Sequence, residues 1–436
     1  MPDMGRRGEN ARAHARTLAA RKRRLRIGGA LGSLLIASGT VAFHLLDDDD
    51  LTPAEAKAAA AAEAPQSTAA PTPLPTTAST PEAQPAPAAD TGLKEGGRTA
   101  TVTVSGDLLW HDKVYQDGAR QAAANGTGDY DFTKLFEKIK PIIESADLSI
   151  CHEETPIVPE GGTLSSFPVF GTPAAVAPAI KDTGFDYCTL ASNHSMDQGI
   201  AGITATTDAF DAAGLMHTGM YRTQEEADTP NIFTTAQGVK IAVVTGTYDL
   251  NGFSLPTGSE YAVDEMDADL MIEKAERARA AGADIVMAAV HTGIEYQLMP
   301  SPEQEEMYPA LAASDAIDVI YGHHSHIVQP WDRINGKLVI YGLGNLVAQQ
   351  DPSEPRTFEG VIGKLTFAER NDGRFEVVDP EYIGTLLTVG TKETGAIQVL
   401  PVADSIAAGY GPQTRLNTAM TEISKSVHAL GVEGVE

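Results

Sequence analysis

DIVMAAVH, residues 284–291, runs six apolar residues straight into a histidine. A run of that length with no polar alternation fits a strand covered on both faces, as in sheets built from crossover units. The same texture recurs on both sides of it. Upstream stand TATVTVSGD (99–107), ADLSICHEE (146–154), FDYCTLASNH (185–194) and KIAVVTG (240–246). Downstream stand AIDVIYGHHSH (316–326), KLVIYGLGN (337–345) and VIGKLTFAE (361–369). Segments with helical spacing separate most of them, at 131–145, 173–183, 201–213, 266–281 and 303–314, and a short strand is expected near 215–218. Strands alternating with helices predict an α/β domain over 96–400, with mixed sheets flanked by helices in layers. A helical tail is expected over 401–436.

Five of these strands end on a residue able to bind metal: Asp107, Glu154, Asn193, His291 and the pair His324/His326. In open α/β sheets the ligand site lies beyond the carboxyl ends of the strands, so residues far apart in the chain can meet at one rim. Taken singly, each has a plain alternative. An Asp after a strand caps a turn, an Asn-His pair sits in a loop, and an internal histidine packs in a core. Repetition at five strand ends favours a metal site. Imidazole mixed with carboxylate suits Mn, Zn or Fe, whereas oxygen-only sets suit Mg or Ca. Two divalent ions are the expected cofactors, with a free histidine beside them to protonate a leaving group.

Six motifs in order then resemble the bacterial capsule-synthesis CapA family, associated with poly-γ-glutamate production and related to calcineurin-like metallophosphatases. They are SGDLLWH (105–111), ADLSICHEETPI (146–157), ASNHSMDQG (191–199), HTGIEY (291–296), GHHSHIVQP (322–330) and YGLGNLV (341–347), and the resemblance covers residues 99–348. It implies a metallophosphatase-like fold, with Asp107, Glu154, Asn193, His291, His324 and His326 as metal ligands. It also implies that His194 is the catalytic acid or electrostatic residue. His111, His152, Asp197 and Glu295 are further candidates for ligation or for orienting a ligand, and His323 is read as a bystander. His152, Thr292 and Ser325 stand where the family pattern has Asn, Trp and Pro.

Charge is distributed unevenly. Residues 1–26 carry nine Lys/Arg against Asp3 and Glu9, a net +7; the whole chain stands at −27, which leaves −34 on residues 27–436. An acidic body of that size repels phosphate backbones and excludes nucleic acid as the principal ligand. IGGALGSLLIASGTVAFHLL (27–46) contains no charged residue and is bounded by Arg21–Arg24 and Arg26 before it and Asp47–Asp50 after it. Twenty residues span about 30 Å as a helix, the thickness of a bilayer core. The positive-inside rule then places 1–26 in the cytoplasm and the main domain outside the cell membrane. A single-pass anchor is preferred to a cleaved signal, whose cleavage site is not evident. Residues 47–95, rich in Ala, Pro and Thr, read as a disordered linker.

Cys151 and Cys188 are the only cysteines. They could form a disulfide between neighbouring strands or stand as small buried apolar residues, and the balance favours the second. Two functions stay open. One is a metal-dependent hydrolase of phosphoesterase type acting on a cell-envelope substrate. The other is a non-catalytic partner of a membrane polymer synthase or export complex, handling an anionic envelope polymer.

Overall fold

The alternation of Thr with Ala and Val in TATVTV starts the first strand of a two-sheet domain. The computed structural model describes residues 92–390 and 395–436, within a compact unit Ala86–Glu436. The basic segment 1–26, the expected transmembrane helix 27–46 and the linker as far as residue 91 lie outside the described residues. Among the described residues no helix is long and apolar enough to cross a membrane.

In chain order the strands are β1 (Thr99–Leu108), β2 (Leu148–Glu153), β3 (Tyr187–Thr189), β4 (Met216–Thr218), β5 (Ile232–Thr234), β6 (Lys240–Thr247), β7 (Ile285–His291), β8 (Val319–His323), β9 (Trp331–Ile334), β10 (Lys337–Ile340), β11 (Asn345–Val347), β12 (Glu359–Glu369), β13 (Phe375–Leu387) and β14 (Val399–Pro401). One sheet has the order β14-β13-β12-β1-β2-β3-β4, with β11 also paired to β1; the other has β5-β6-β7-β8-β10-β9. Strands β1 to β4 run parallel, as do β6, β7, β8 and β10. Antiparallel strands complete the flanks.

Both faces of the central strands are buried, which explains their unbroken apolar runs. On β6, Ile241 and Val243 join a core shared with Val102, Val104 and Ile150 of the other sheet. Their neighbours Ala242 and Val244 belong to a second core with Met271, Ala275 and Ala278 of the helix Ala268–Ala280. Burying one such aliphatic side chain stabilises by about 1.5–3 kcal/mol. Polar groups are therefore pushed to the strand ends.

The structure departs from the expected elements where local chemistry interrupts a pattern. The helix expected over 131–145 is two short helices, Thr133–Phe136 and Lys140–Ile143. Pro141 lacks the N–H that would bond back to residue 137 and join the two turns. Leu135, Phe136, Ile139 and Ile143 are buried all the same. Strand β9 pairs with β10 through the Asn335-Gly336 turn, both residues having positive φ, as a tight hairpin demands. Strand β13 hides behind charged residues and Pro380, although it pairs with β12 along its length. The tail forms helices Val402–Ala407 and Gln413–Val427, and Leu416, Ala419, Ile423 and Val427 share the core with Leu386 and Val399.

The reading of the cysteines as unbonded is corrected. Cys151 and Cys188 are register partners in β2 and β3, their Cα atoms 4.5 Å apart, and they form a disulfide.

Candidate metal centre

Register builds the centre. In a parallel pair, residues side by side in the ladder point to the same face. Asp107 of β1 lies beside His152 of β2, and in the other sheet His291 of β7 lies beside His323 of β8. The two pairs meet between the sheets. His323 Nδ1 is 2.6 Å from Asp107 Oδ1, the His152 and His323 rings stack with centroids 4.0 Å apart, and His152 Nε2 is 2.9 Å from His291 Nδ1. His323, read as a bystander, instead sits at the heart of the cluster.

The chain leaves β8 through a sharp turn. His324 and His326 have left-handed backbone, φ +82° and +57°, which costs about 1–2 kcal/mol per non-glycine residue. That turn brings the His324 N–H to 3.2 Å and His326 Nδ1 to 3.5 Å from Asp107 Oδ2. Glu154, just past β2, places Oε1 3.8 Å from His326 Nε2 and 3.9 Å from His291 Nε2. Asn193 Oδ1 is 2.9 Å from His291 Nε2. Gly106 allows the crowding, because a methyl there would overlap the Gly344 carbonyl that accepts the Asp107 N–H at 2.9 Å.

Among the described residues, three overlapping groups have ligand atoms within 4.8 Å of one another: Asp107/His152/His323, Asp107/Glu154/His326 and Glu295/His324/His326. Several of these atoms lack a hydrogen-bond partner among the described residues. Both oxygens of Glu154, His323 Nε2 and His324 Nδ1 are buried without a hydrogen bond. A buried polar atom left unpaired costs about 1–3 kcal/mol. A cation would satisfy all four, and a mixed imidazole–carboxylate set is the donor chemistry such an ion takes. The residues fit a divalent metal.

Electrostatics follow from burial at close quarters. Burial raises the Glu154 carboxyl well above its ordinary range. Burial also opposes ionisation of Asp107, but His323, with His326 and His152, holds it well below the usual carboxylate value. Desolvation drives His152 and His291 well below the ordinary imidazole value and His324 down to about 3. His326 is pushed up to about 10, against its own burial, by Glu154 and Asp107.

His194 stands at the edge of the cluster. Its Nδ1 is 2.7 Å from Asp197 Oδ2, which also accepts the Phe170 N–H at 2.7 Å, and the Phe170 ring packs edge-on against the imidazole. Asp197 therefore fixes the Nδ1–H tautomer and leaves Nε2 free to hold or deliver a proton. His111 Nδ1 accepts the Gln349 N–H at 3.2 Å, burial lowers it to about 4, and it belongs to none of the three groups among the described residues. Asn345 had no assigned role. Its Oδ1 is 3.0 Å from His326 Nδ1, and its Nδ2 donates to the carbonyls of His326 and Thr357 at 3.3 and 2.8 Å. It thereby orients that imidazole.

Residues 101–350 match the family model described as bacterial capsule synthesis protein PGA_cap. The chain belongs to the PGA_cap family. Within the family's reach, it is 29% identical over 258 residues to the capsule biosynthesis protein CapA of Bacillus anthracis, covering 57% of this chain and 60% of that one. It is 27% identical over 252 residues to the PGA biosynthesis protein CapA of Bacillus subtilis, covering 56% and 63%. A probable polyglutamine synthesis accessory protein of Mycobacterium tuberculosis is 24% identical over 235 residues, covering 51% and 59%. The matches thus span about three fifths of these relatives' lengths. Among solved structures, the calcineurin-like phosphoesterase YfkN of Bacillus subtilis aligns with TM-score 0.39 and 15% identity, over 75% of this chain and 97% of that one. Likeness at that level carries no weight for fold or chemistry. The family and the cluster are the findings that bear on function.

Proposed function

We propose that this PGA_cap protein is a metal-dependent hydrolase of the metallophosphatase type, acting on a cell-envelope substrate in capsule or poly-γ-glutamate synthesis. The observation that carries the reading is the buried donor set in which Glu154 Oε1 and Oε2, His323 Nε2 and His324 Nδ1 find no hydrogen-bond partner among the described residues. Asp107, His152, His323, Glu154, His326, His291 and Asn193 would hold the ions, with His324 and Glu295 toward the rim. Two ions of Mn, Zn or Fe suit this number and mixture of donors. Bound divalent ions supply charge neutralisation and water activation. The chain's own part is to exclude bulk water with two buried sheet ends and to hold a proton on His194, oriented by Asp197. The apolar segment 27–46 supports a single-pass anchor, with the domain on the outer face of the membrane.

A second reading has a specific motive, since the Mycobacterium tuberculosis relative is described as a probable polyglutamine synthesis accessory protein. In that reading the domain is a non-catalytic partner of a membrane polymer synthase or export complex, and cations bridge it to an anionic polymer. One experiment separates the two. The full chain purified in detergent should contain divalent metal and hydrolyse bis(p-nitrophenyl) phosphate, and His291→Ala should lower both metal content and rate, the affinity by about 10–100-fold. Absence of bound metal, or an unchanged rate in His291→Ala, refutes the hydrolase.

A further inference from the structure

The loop after β6 carries none of the six motifs, yet one of its residues touches two residues of the centre. Asn251 Oδ1 accepts a hydrogen bond from Asn193 Nδ2 at 3.1 Å, and Asn251 Nδ2 lies 3.3 Å from His194 Nδ1. Its φ of +50° is left-handed, a conformation that Asn, Asp and Gly adopt most readily. The two ends of a carboxamide differ chemically: the oxygen can ligate a cation and the NH2 cannot. Asn193 turns its oxygen to within 2.9 Å of His291 Nε2. The NH2 end then needs an acceptor on the far side, and Asn251 Oδ1 supplies it. With the amide reversed, two N–H groups would face the imidazoles and any bound ion. His194 Nδ1 already donates to Asp197 Oδ2 at 2.7 Å, so Asn251 Nδ2 packs against that ring edge and adds no second hydrogen bond.

We propose that Asn251 is a positioning residue that locks the Asn193 amide with its oxygen turned into the cluster. The proposal builds on the reading of that cluster as a metal centre. Two substitutions isolate the contact in the full chain. Asn251→Asp keeps an acceptor oxygen and tolerates the left-handed backbone, whereas Asn251→Gly keeps the backbone and removes the acceptor. Titration with Mn2+ by calorimetry should find Asn251→Asp within about threefold of the parent and Asn251→Gly weaker by about 10–100-fold, the usual effect of losing a group that orients a ligand. In chelator, 15N spectra of histidine-labelled chain should show the His291 Nε2 signal alike in the parent and Asn251→Asp and displaced in Asn251→Gly. Parent-like Mn2+ affinity in Asn251→Gly overturns the proposal, as does an Asn251→Asp chain as weak as the glycine variant. An unmoved His291 signal overturns it whatever the metal result. If the parent binds no Mn2+ while the His291 signal is still displaced in Asn251→Gly, the metal reading falls and the positioning of Asn193 stands.

Discussion

Replacing Glu154 by methionine should stabilise the ion-free protein and destabilise it relative to the parent once metal is present. Both carboxyl oxygens are buried without a hydrogen bond among the described residues, and burial pushes the carboxyl well above its ordinary range. The nearest imidazole nitrogens, of His326 and His291, stand 3.8 and 3.9 Å from Oε1, beyond hydrogen-bond range, and His326 keeps Asp107, 3.5 Å from its Nδ1. Methionine conserves volume, so the packing penalty stays below about 1.5 kcal/mol. Removing unsatisfied polar atoms returns about 1–3 kcal/mol for each group relieved. The net gain in chelator is about 1–2 kcal/mol, which raises the melting temperature by a few degrees in a domain of this size. A ligand at a hundred times its Kd stabilises the parent by about 2.7 kcal/mol, a gain that the variant forfeits with its carboxylate. The assay is thermal unfolding of parent and variant, each with EDTA and with saturating Mn2+. The two curves should exchange order between the conditions. A variant that melts several degrees below the parent in EDTA, yet rises normally with Mn2+, would show that Glu154 is a satisfied structural residue and refute the reasoning.

Breaking the disulfide with Cys151→Ser and Cys188→Ser should cost about 3–4 kcal/mol, from closure of a 37-residue separation in the chain-entropy account. Urea unfolding with and without reductant checks it: the parent midpoint should fall on reduction, and the double variant should not respond. Asp197→Asn should leave metal content unchanged while lowering turnover of bis(p-nitrophenyl) phosphate by about 10²–10⁴-fold, because His194 loses the partner that sets its tautomer. Equal losses of metal and rate would place Asp197 in the binding of the ion instead.

The sequence was most readable where burial is two-sided. Strands such as DIVMAAVH have no room for polar residues along their length, so the polar residues at their ends stood out, and Asp107, Glu154, Asn193, His291, His324 and His326 do converge. His323, which ends β8 instead of standing past it, reads as a bystander. The register that places it comes from the structure: a histidine level with His291 on the adjacent parallel strand faces the same way. Asn251 had no such signal. It lies in a loop between elements, and only the tertiary path brings it beside Asn193. The disulfide was underestimated for a related reason: strand-like texture can suggest that two cysteines share a sheet, but their pairing depends on a register that texture does not encode. Strand β13 is hard to read because β14 covers only its last three residues, Thr385–Leu387, and the rest carries charged residues along its open flank, which erases the apolar alternation.

The left-handed turn at His324 and His326 has an evolutionary consequence. Glycine or asparagine would hold that backbone more comfortably, so histidine persists there only under a demand that outweighs local stability. A relative of the same architecture released from that demand should drift toward glycine or asparagine at these two positions sooner than at Asp107, whose carboxylate also ties the strand ends together. The identities at the two turn positions thus offer a marker for dividing the family into members that retain a working centre and members that keep only the scaffold.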